Sequence, residues 1–209
     1  MAILDEISEK LQQGKADAVK QLVEKALSEK VPVRDVLNKG LIAGMGVIGG
    51  KFKRNEVYVP EVLIAARAMH AGLAVLEPLL AGAGVEPLAK VAIGTVKGDL
   101  HDIGKNLVAM MLRGAGFAVQ DLKIDVSAEK FVEAAQGGTQ LVCLSALLTT
   151  TMPQMKSVIE ALRGKGLKVP VMIGGAPVTQ NYADEIGAQG YAPDAASAVD
   201  KAKELLSLA

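Results

Sequence analysis

The sequence predicts an α plus α/β protein: an N-terminal four-helix bundle, then a five-stranded doubly wound parallel sheet. Apolar residues recur at helical spacing over roughly the first 80 positions. Beyond a Gly- and Ala-rich break, short apolar runs alternate with amphipathic segments. Half of the residues are hydrophobic but only 3% are aromatic, which suits close-packed helices and parallel strands better than an antiparallel fold.

Each element follows from its own pattern. Ile3, Leu4, Ile7 and Leu11 share one helical face, and Gly14 ends that helix. Asp17 to Lys30 repeats the spacing with Val19, Leu22, Val23, Ala26 and Leu27. Pro32 opens a third helix through Val33, Val36, Leu37, Leu41 and Met45. A fourth runs from about Pro60 to Leu80 on a stripe of Val62, Ala66, Met69, Leu73, Leu76 and Leu80. Four such helices with short connections predict a bundle. Ala81-Gly82-Ala83-Gly84, with Pro87 close behind, reads as a linker. Strands are expected at Val91–Val96, Ala118–Leu122, Leu141–Ser145, Val169–Ile173 and Ala188–Tyr191. Helices are expected at Gly104–Leu112, Ala128–Ala135, Pro153–Arg163, Gln180–Ile186 and Asp194–Leu208. The predicted domains are residues 1–86 and 87–209.

Composition excludes several functions. Lys plus Arg and Asp plus Glu number 23 each, and each predicted domain is itself close to balance, so no basic face for nucleic acid is expected. The single cysteine, Cys143, excludes an intrachain disulfide and a cysteine metal site, and its apolar neighbours mark it as core. No apolar stretch reads as a membrane span, and Met1 to Lys15 does not read as a signal peptide, so a cytoplasmic protein is expected.

The loop after the first strand, Lys97-Gly98-Asp99-Leu100-His101-Asp102-Ile103-Gly104, carries the chemistry. The spacing of Gly94, Gly98 and Gly104 misses the dinucleotide fingerprint. A phosphate loop would need glycine where Asp99 stands and Ser or Thr where Asn106 stands. What remains is an imidazole, His101, with a carboxylate two residues before it. A neutral imidazole suits a transition metal, and a carboxylate on its other nitrogen fixes the tautomer. Gly104 would let the loop turn tightly into a helix beside a bulky group. The plainer alternative is a polar loop whose Asp99 or Asp102 caps the next helix.

Asp99-x-His101-x-x-Gly104 resembles the signature of corrinoid-binding domains. The resemblance implies that His101 replaces the cofactor's own base and ligates cobalt from below, the base-off/His-on mode. Three further segments resemble the family in the expected order. Ser145-Ala146-Leu147-Leu148-Thr149-Thr150-Thr151 matches the Ser-x-Leu-x-Thr loop that lines the slot for the nucleotide tail, with hydroxyls from Ser145, Thr149 and Thr151. Gly174-Gly175 matches a pair beside that tail, and Tyr191-Ala192 falls at its far end. Phe52 to Glu61 resembles the cap segment of methionine synthase, which implies that Phe52 and Val59 cover the upper face. In methionine synthase a serine extends the Asp–His pair; Thr151 stands at that point here. Met45 and Met69 read as core, and His70 as an ordinary helix residue. The implied site is therefore Phe52, Val59, Gly98, Asp99, Leu100, His101, Asp102, Ile103, Gly104, Ser145, Leu147, Leu148, Thr149, Thr151, Gly174, Gly175, Tyr191 and Ala192, with His101 the metal ligand and no catalytic residue.

By this resemblance the sheet domain is flavodoxin-like and Rossmann-type, the bundle is a cap, and the cofactor is cobalamin or a related corrinoid cycling between Co(I) and methyl-Co(III). The implied protein is a free-standing methyl carrier of anaerobic methyl transfer, not a complete enzyme by itself. It takes a methyl group from a substrate-specific corrinoid methyltransferase and passes it to a second methyltransferase that uses tetrahydrofolate or a thiol coenzyme. A reductive activator of Co(II) is a further expected partner; nucleic acid and membrane are not expected. The donor expected is a methyl ether or a quaternary amine. A cobalamin-dependent sensor or regulator, a detached mutase subunit and a nucleotide-binding flavodoxin-like protein are the alternatives.

Overall fold

The computed structural model describes residues 2–80 and 82–208. Two compact units divide the described chain, one built on residues up to Pro87 together with Gly114–Gly116 and one on the remaining residues from Leu88 onward. Each is described on its own. Ala81, within the expected linker, lies outside the described residues.

The first unit is all helical. Helix α1 (Ile3–Gln12) buries Ile7 and Leu11, and α2 (Ala16–Ser28) buries Val19, Val23 and Ala26. The third expected helix is longer and less regular than its spacing predicted. It starts as α3 (Val33–Asp35), widens into a π-helical stretch (Val36–Ile42) and continues as α4 (Ala43–Lys53). Its buried pairs explain the irregularity: Val36 with Leu37, Gly40 with Leu41, Gly44 with Met45, Ile48 with Gly49. That stripe repeats every fourth residue, whereas an α-helix turns about every 3.6. Local widening of the helix keeps the stripe on one face. The glycines in it admit α1 closely: a β-carbon on Gly44 would lie 3.1 Å from the Ser8 backbone.

Helix α5 (Val59–Leu80) packs on α1, α2, α4 and the π-helical stretch, burying Val62, Ala65, Ala66, Ala68, Met69, Gly72 and Leu76. Its 22 residues are long and apolar enough to cross a membrane by length and composition. This corrects the expectation that no stretch reads as a span; the alanines of the helix raise its hydropathy without forming a long aliphatic run. Here that hydropathy serves bundle packing. Met45 and Met69 are buried as expected, and His70 is exposed. After α5 the chain folds back, with Val85 N–H donating to the Leu80 carbonyl and Arg34 donating to the Gly84 carbonyl.

The second unit holds a five-stranded parallel sheet in the order β2-β1-β3-β4-β5. The strands are β1 (Lys90–Thr95), β2 (Ala118–Asp121), β3 (Leu141–Ser145), β4 (Val171–Gly174) and β5 (Gly190–Tyr191). Between and after them lie α6 (Ile103–Gly114), α7 (Ala128–Gln136), α8 (Pro153–Gly164), α9 (Gln180–Ile186) and α10 (Ala195–Leu205). Three strands are shorter than expected, β2 by stopping at Asp121. β4 starts at Val171 and takes in Gly174, and β5 is reduced to two residues. Val142, Leu144, Val171 and Ile173 share one apolar cluster with buried residues of α7, α8 and α9, Phe131 among them. Cys143 and Met172 point the opposite way and are equally buried, so the sheet is covered on both faces. The chain order reverses between β1 and β3, and in such sheets a crevice opens there at the carboxyl ends of the strands.

Candidate functional site

The loop from β1 to α6 and the loop from β3 to α8 leave the sheet on either side of that crevice and meet again at Asp99. The Asp99 side chain is 0% exposed, yet it is fully hydrogen-bonded. Its Oδ1 accepts from His101 Nδ1 at 2.7 Å and from His101 N–H at 3.1 Å. Its Oδ2 accepts from the Thr151 hydroxyl at 2.7 Å and from the N–H groups of Leu147 and Leu148 at 2.8 and 3.3 Å. Burial alone would raise this carboxyl group's pKa. The bonds from Thr151, Leu147 and His101 outweigh burial and hold it well below the usual carboxylate range.

An ionised Asp99 takes only donors, so the proton of a neutral His101 ring sits on Nδ1. Nε2 is then left with its lone pair. The His101 side chain is 50% exposed. One end of the imidazole is thus anchored in the protein and the other offers a metal-ligating nitrogen. Of the plainer alternative, the Asp99 half does not form: its carboxylate turns away from the helix to His101 and the β3–α8 loop, whereas Asp102 does stand at the start of α6 with its carbonyl on the Asn106 N–H.

The rest of the loop is equally fixed. The buried Thr95 hydroxyl donates to the His101 carbonyl at 2.8 Å. Asp125 accepts from Gly98 N–H at 2.8 Å and from Lys97 at 3.0 Å, while its own N–H donates to the Asp99 carbonyl. Asp102 accepts from the Asn106 side chain at 3.0 Å. Beside His101, Leu100 and Ile103 are 67% and 78% exposed, and Leu147 and Leu148 are also exposed. Large aliphatic side chains gathered on the surface around an imidazole form a ledge for an apolar, planar group.

Two expected roles need correction. Gly104 does not provide a tight turn: it lies in the first turn of α6, and a β-carbon there would meet nothing within 4 Å. The chain's own packing does not demand a glycine there, but a ligand lying close against the helix would. The Thr151 hydroxyl is within bonding distance of Asp99 and of the Leu148 carbonyl, so its proton is committed within the loop and is not free for a bound tail. It does extend the Asp99–His101 pair into a chain of three.

The glycine pair is used as a close approach. Gly175 has φ +137°, and a β-carbon there would lie 1.8 Å from the Ala146 carbonyl oxygen. A β-carbon on Gly174 would lie 3.1 Å from the Ala192 carbonyl oxygen. Only glycine lets the β4–α9 loop nest against its neighbours. Ser145 ends β3, Thr149 is exposed on the following loop, Ala192 is buried, and Tyr191 packs half-buried against the core. In the helical unit Phe52 and Val59 are half-buried, while Tyr58 is 66% exposed and does not fill the space between helices.

Residues 89–200 and 3–77 each match a model of the B12 binding domain. The chain belongs to the B12-binding family. It is 46% identical to the dimethylamine corrinoid protein of Methanosarcina barkeri over 98% of both chains. It is 43% identical to a corrinoid protein of Desulfitobacterium hafniense, over 99% of this chain and 98% of that one. Among solved structures, the methanol:cobalamin methyltransferase complex of Methanosarcina barkeri is similar with TM-score 0.89 and 31% identity, over 98% of this chain and 80% of that one. This is a corrinoid protein of methyltransferase systems, and its cofactor is cobalamin or a related corrinoid. The residues fit that group: an imidazole with an open Nε2, exposed aliphatic side chains beside it, and a helix start without a side chain at Gly104.

Sequence reasoning missed Thr95, Asp125, Lys105, Asp121 and Tyr182. Thr95 is a polar residue ending an apolar strand, which is a readable sign of a site loop. Tyr182 donates to the Met152 carbonyl at 2.7 Å from a different helix, and no spacing in the chain announces it.

Proposed function

We propose that this protein is a methyl-carrying corrinoid subunit that works between two methyltransferases and is not a complete enzyme by itself. One substrate-specific methyltransferase delivers the methyl group; a second removes it to tetrahydrofolate or a thiol coenzyme. When bound, the corrinoid supplies a cobalt centre that alternately accepts and releases that group. The observation that supports the reading best is the buried, fully bonded Asp99 holding His101 by Nδ1, with Nε2 left as a ligand.

The chain's own contributions follow. His101 is the lower ligand, with the cofactor bound base-off. Asp99 and Thr151 orient the imidazole and set its proton on Nδ1. Gly98 and Asp102 shape the loop on either side, and Leu100, Ile103, Leu147 and Leu148 support the ring. Gly104 leaves room for it. Ser145, Thr149, Gly174, Gly175, Tyr191 and Ala192 border the slot for the tail. Residues 1–86 are the cap, whose Phe52 and Val59 exclude water from the reactive face, and residues 87–209 hold the cofactor.

The near full-length likeness to a dimethylamine corrinoid protein supports a methylamine as the donor, in place of the ether or quaternary amine expected from sequence. The likeness to a methanol:cobalamin methyltransferase complex supports a direct methyltransferase partner. A cytoplasmic setting and a reductive activator belong to the same reading. The test is to load the protein with cobalamin, reduce it, and add dimethylamine with a dimethylamine-specific methyltransferase. The expected result is conversion of the reduced spectrum to the methylated one. No conversion with any methylamine, methanol or methyl ether system overturns the carrier role.

A further inference from the structure

Lys105 is buried, although a lone ammonium group inside a protein is strongly disfavoured. Its Nζ donates to Asp121 Oδ1 at 2.7 Å and to Asn106 Oδ1 at 2.6 Å. Asp121 ends β2 and also accepts from the N–H and ammonium of Lys123. With its oxygen on Lys105, the Asn106 amide must present its NH2 group on the other side. There it donates to Asp102 Oδ2 at 3.0 Å, and the Asn106 backbone N–H donates to the Asp102 carbonyl at 2.7 Å. The amide cannot be flipped without setting its NH2 against an ammonium and its oxygen against a carboxylate.

We propose that Lys105 is a positioning residue for His101, acting through Asn106 and Asp102. A polar relay runs from the end of β2 through Asp121, Lys105 and Asn106 to the residue immediately after His101. Asp99 grips the imidazole from the upstream side, and this relay grips the backbone from the downstream side. Thr95, on the His101 carbonyl, lies between them. The relay is separate from the Asp99–Thr151 chain and enters the loop from the opposite edge of β1, since β2 and β3 flank that strand. The inference rests on His101 being the lower ligand.

Three variants test it: Asn106→Ala, Lys105→Met, and Lys105→Met combined with Asp121→Leu. The double variant removes both buried charges together, so fold stability returns toward wild type while the amide orientation stays lost. The first readout is amide hydrogen exchange at His101 in the cofactor-free protein. The second is the share of added cobalamin that shows the histidine-ligated visible spectrum. The expected result is about tenfold faster exchange at His101 in Asn106→Ala and in the double variant, with a lower histidine-ligated share in both. A purely structural Lys105 predicts instead that the double variant recovers exchange, ligation and melting temperature together, and that result overturns the proposal. Wild-type exchange in Asn106→Ala also overturns it. His101→Ala separates the premise: if its spectrum matches wild type, the ligand assignment fails, while the exchange readout still decides the relay.

Discussion

Asp99 concentrates the chemistry of the site in one side chain. Its carboxylate is removed from water and repaid in hydrogen bonds, so each donor matters more than it would at the surface. Thr151→Val removes the only hydroxyl among them and is expected to destabilise the cofactor-free protein by about 1–3 kcal/mol in urea unfolding. Thr151→Ser keeps the hydroxyl and should recover most of that loss. Gly104 and Gly175 make a contrasting pair. Gly104→Ala meets open space within a helix, so the cofactor-free protein should be unchanged or up to about 1 kcal/mol more stable. Cobalamin binding should nevertheless weaken, which isothermal titration would read. Gly175→Ala drives a β-carbon into a backbone carbonyl and should lower the melting temperature sharply.

At the scale of elements, the carboxyl ends of β1 and β3 carry the site, and the other elements hold those ends in place. The Lys105–Asp121 pair ties α6 to the end of β2. Burial would raise the Asp121 pKa, but the bond from Lys105, the N–H of Lys123 and the Lys105 charge lower it overall. A carboxylate whose folded pKa is depressed contributes stability that is complete above its unfolded value of about 3.9. That stability is lost as pH falls through the folded value. Asp121→Asn should therefore flatten the fall of stability with pH below about 4, measured by urea titration at several acid pH values. In the bundle, Gly44 and Gly46 share α4 but not its surroundings. Gly44→Ala would press on the Ser8 backbone and should destabilise, whereas Gly46→Ala meets nothing and should stabilise by about 0.5–1 kcal/mol.

These elements also show what a single chain discloses. Short apolar runs and helical stripes made the strands and most helices legible, because each depends on one local pattern. The π-helical stretch was written in the four-residue repeat from Val36 to Ile48, yet it reads as an ordinary helix unless the drift of that repeat is counted. The Asp99-x-His101 pair was legible because both residues lie in one loop. Thr151 entered only through resemblance, since it lies 52 positions from Asp99 and meets it through the β1–β3 pairing. Lys105 and Asp121 gave no sign, because a buried ion pair and a surface one look alike in sequence.

At the scale of the whole molecule, charge balance and scarce aromatics take on a meaning. Phe117 and Phe131 are buried and serve packing, and Tyr182 ties α9 to the β3–α8 loop. Tyr191 is half-buried at the end of β5, while Phe52 lies in α4 and Tyr58 just before α5. The buried Cys143 thiol, its pKa raised by burial, is an inert core group. The central claim is that His101, held by Asp99, is the lower ligand of the corrinoid. The direct test is electron paramagnetic resonance of the Co(II) form in protein whose histidines carry nitrogen-15. The account predicts that the axial nitrogen splitting changes from a triplet to a doublet on labelling and disappears in His101→Ala. A splitting untouched by the label, or one that survives in His101→Ala, would contradict it.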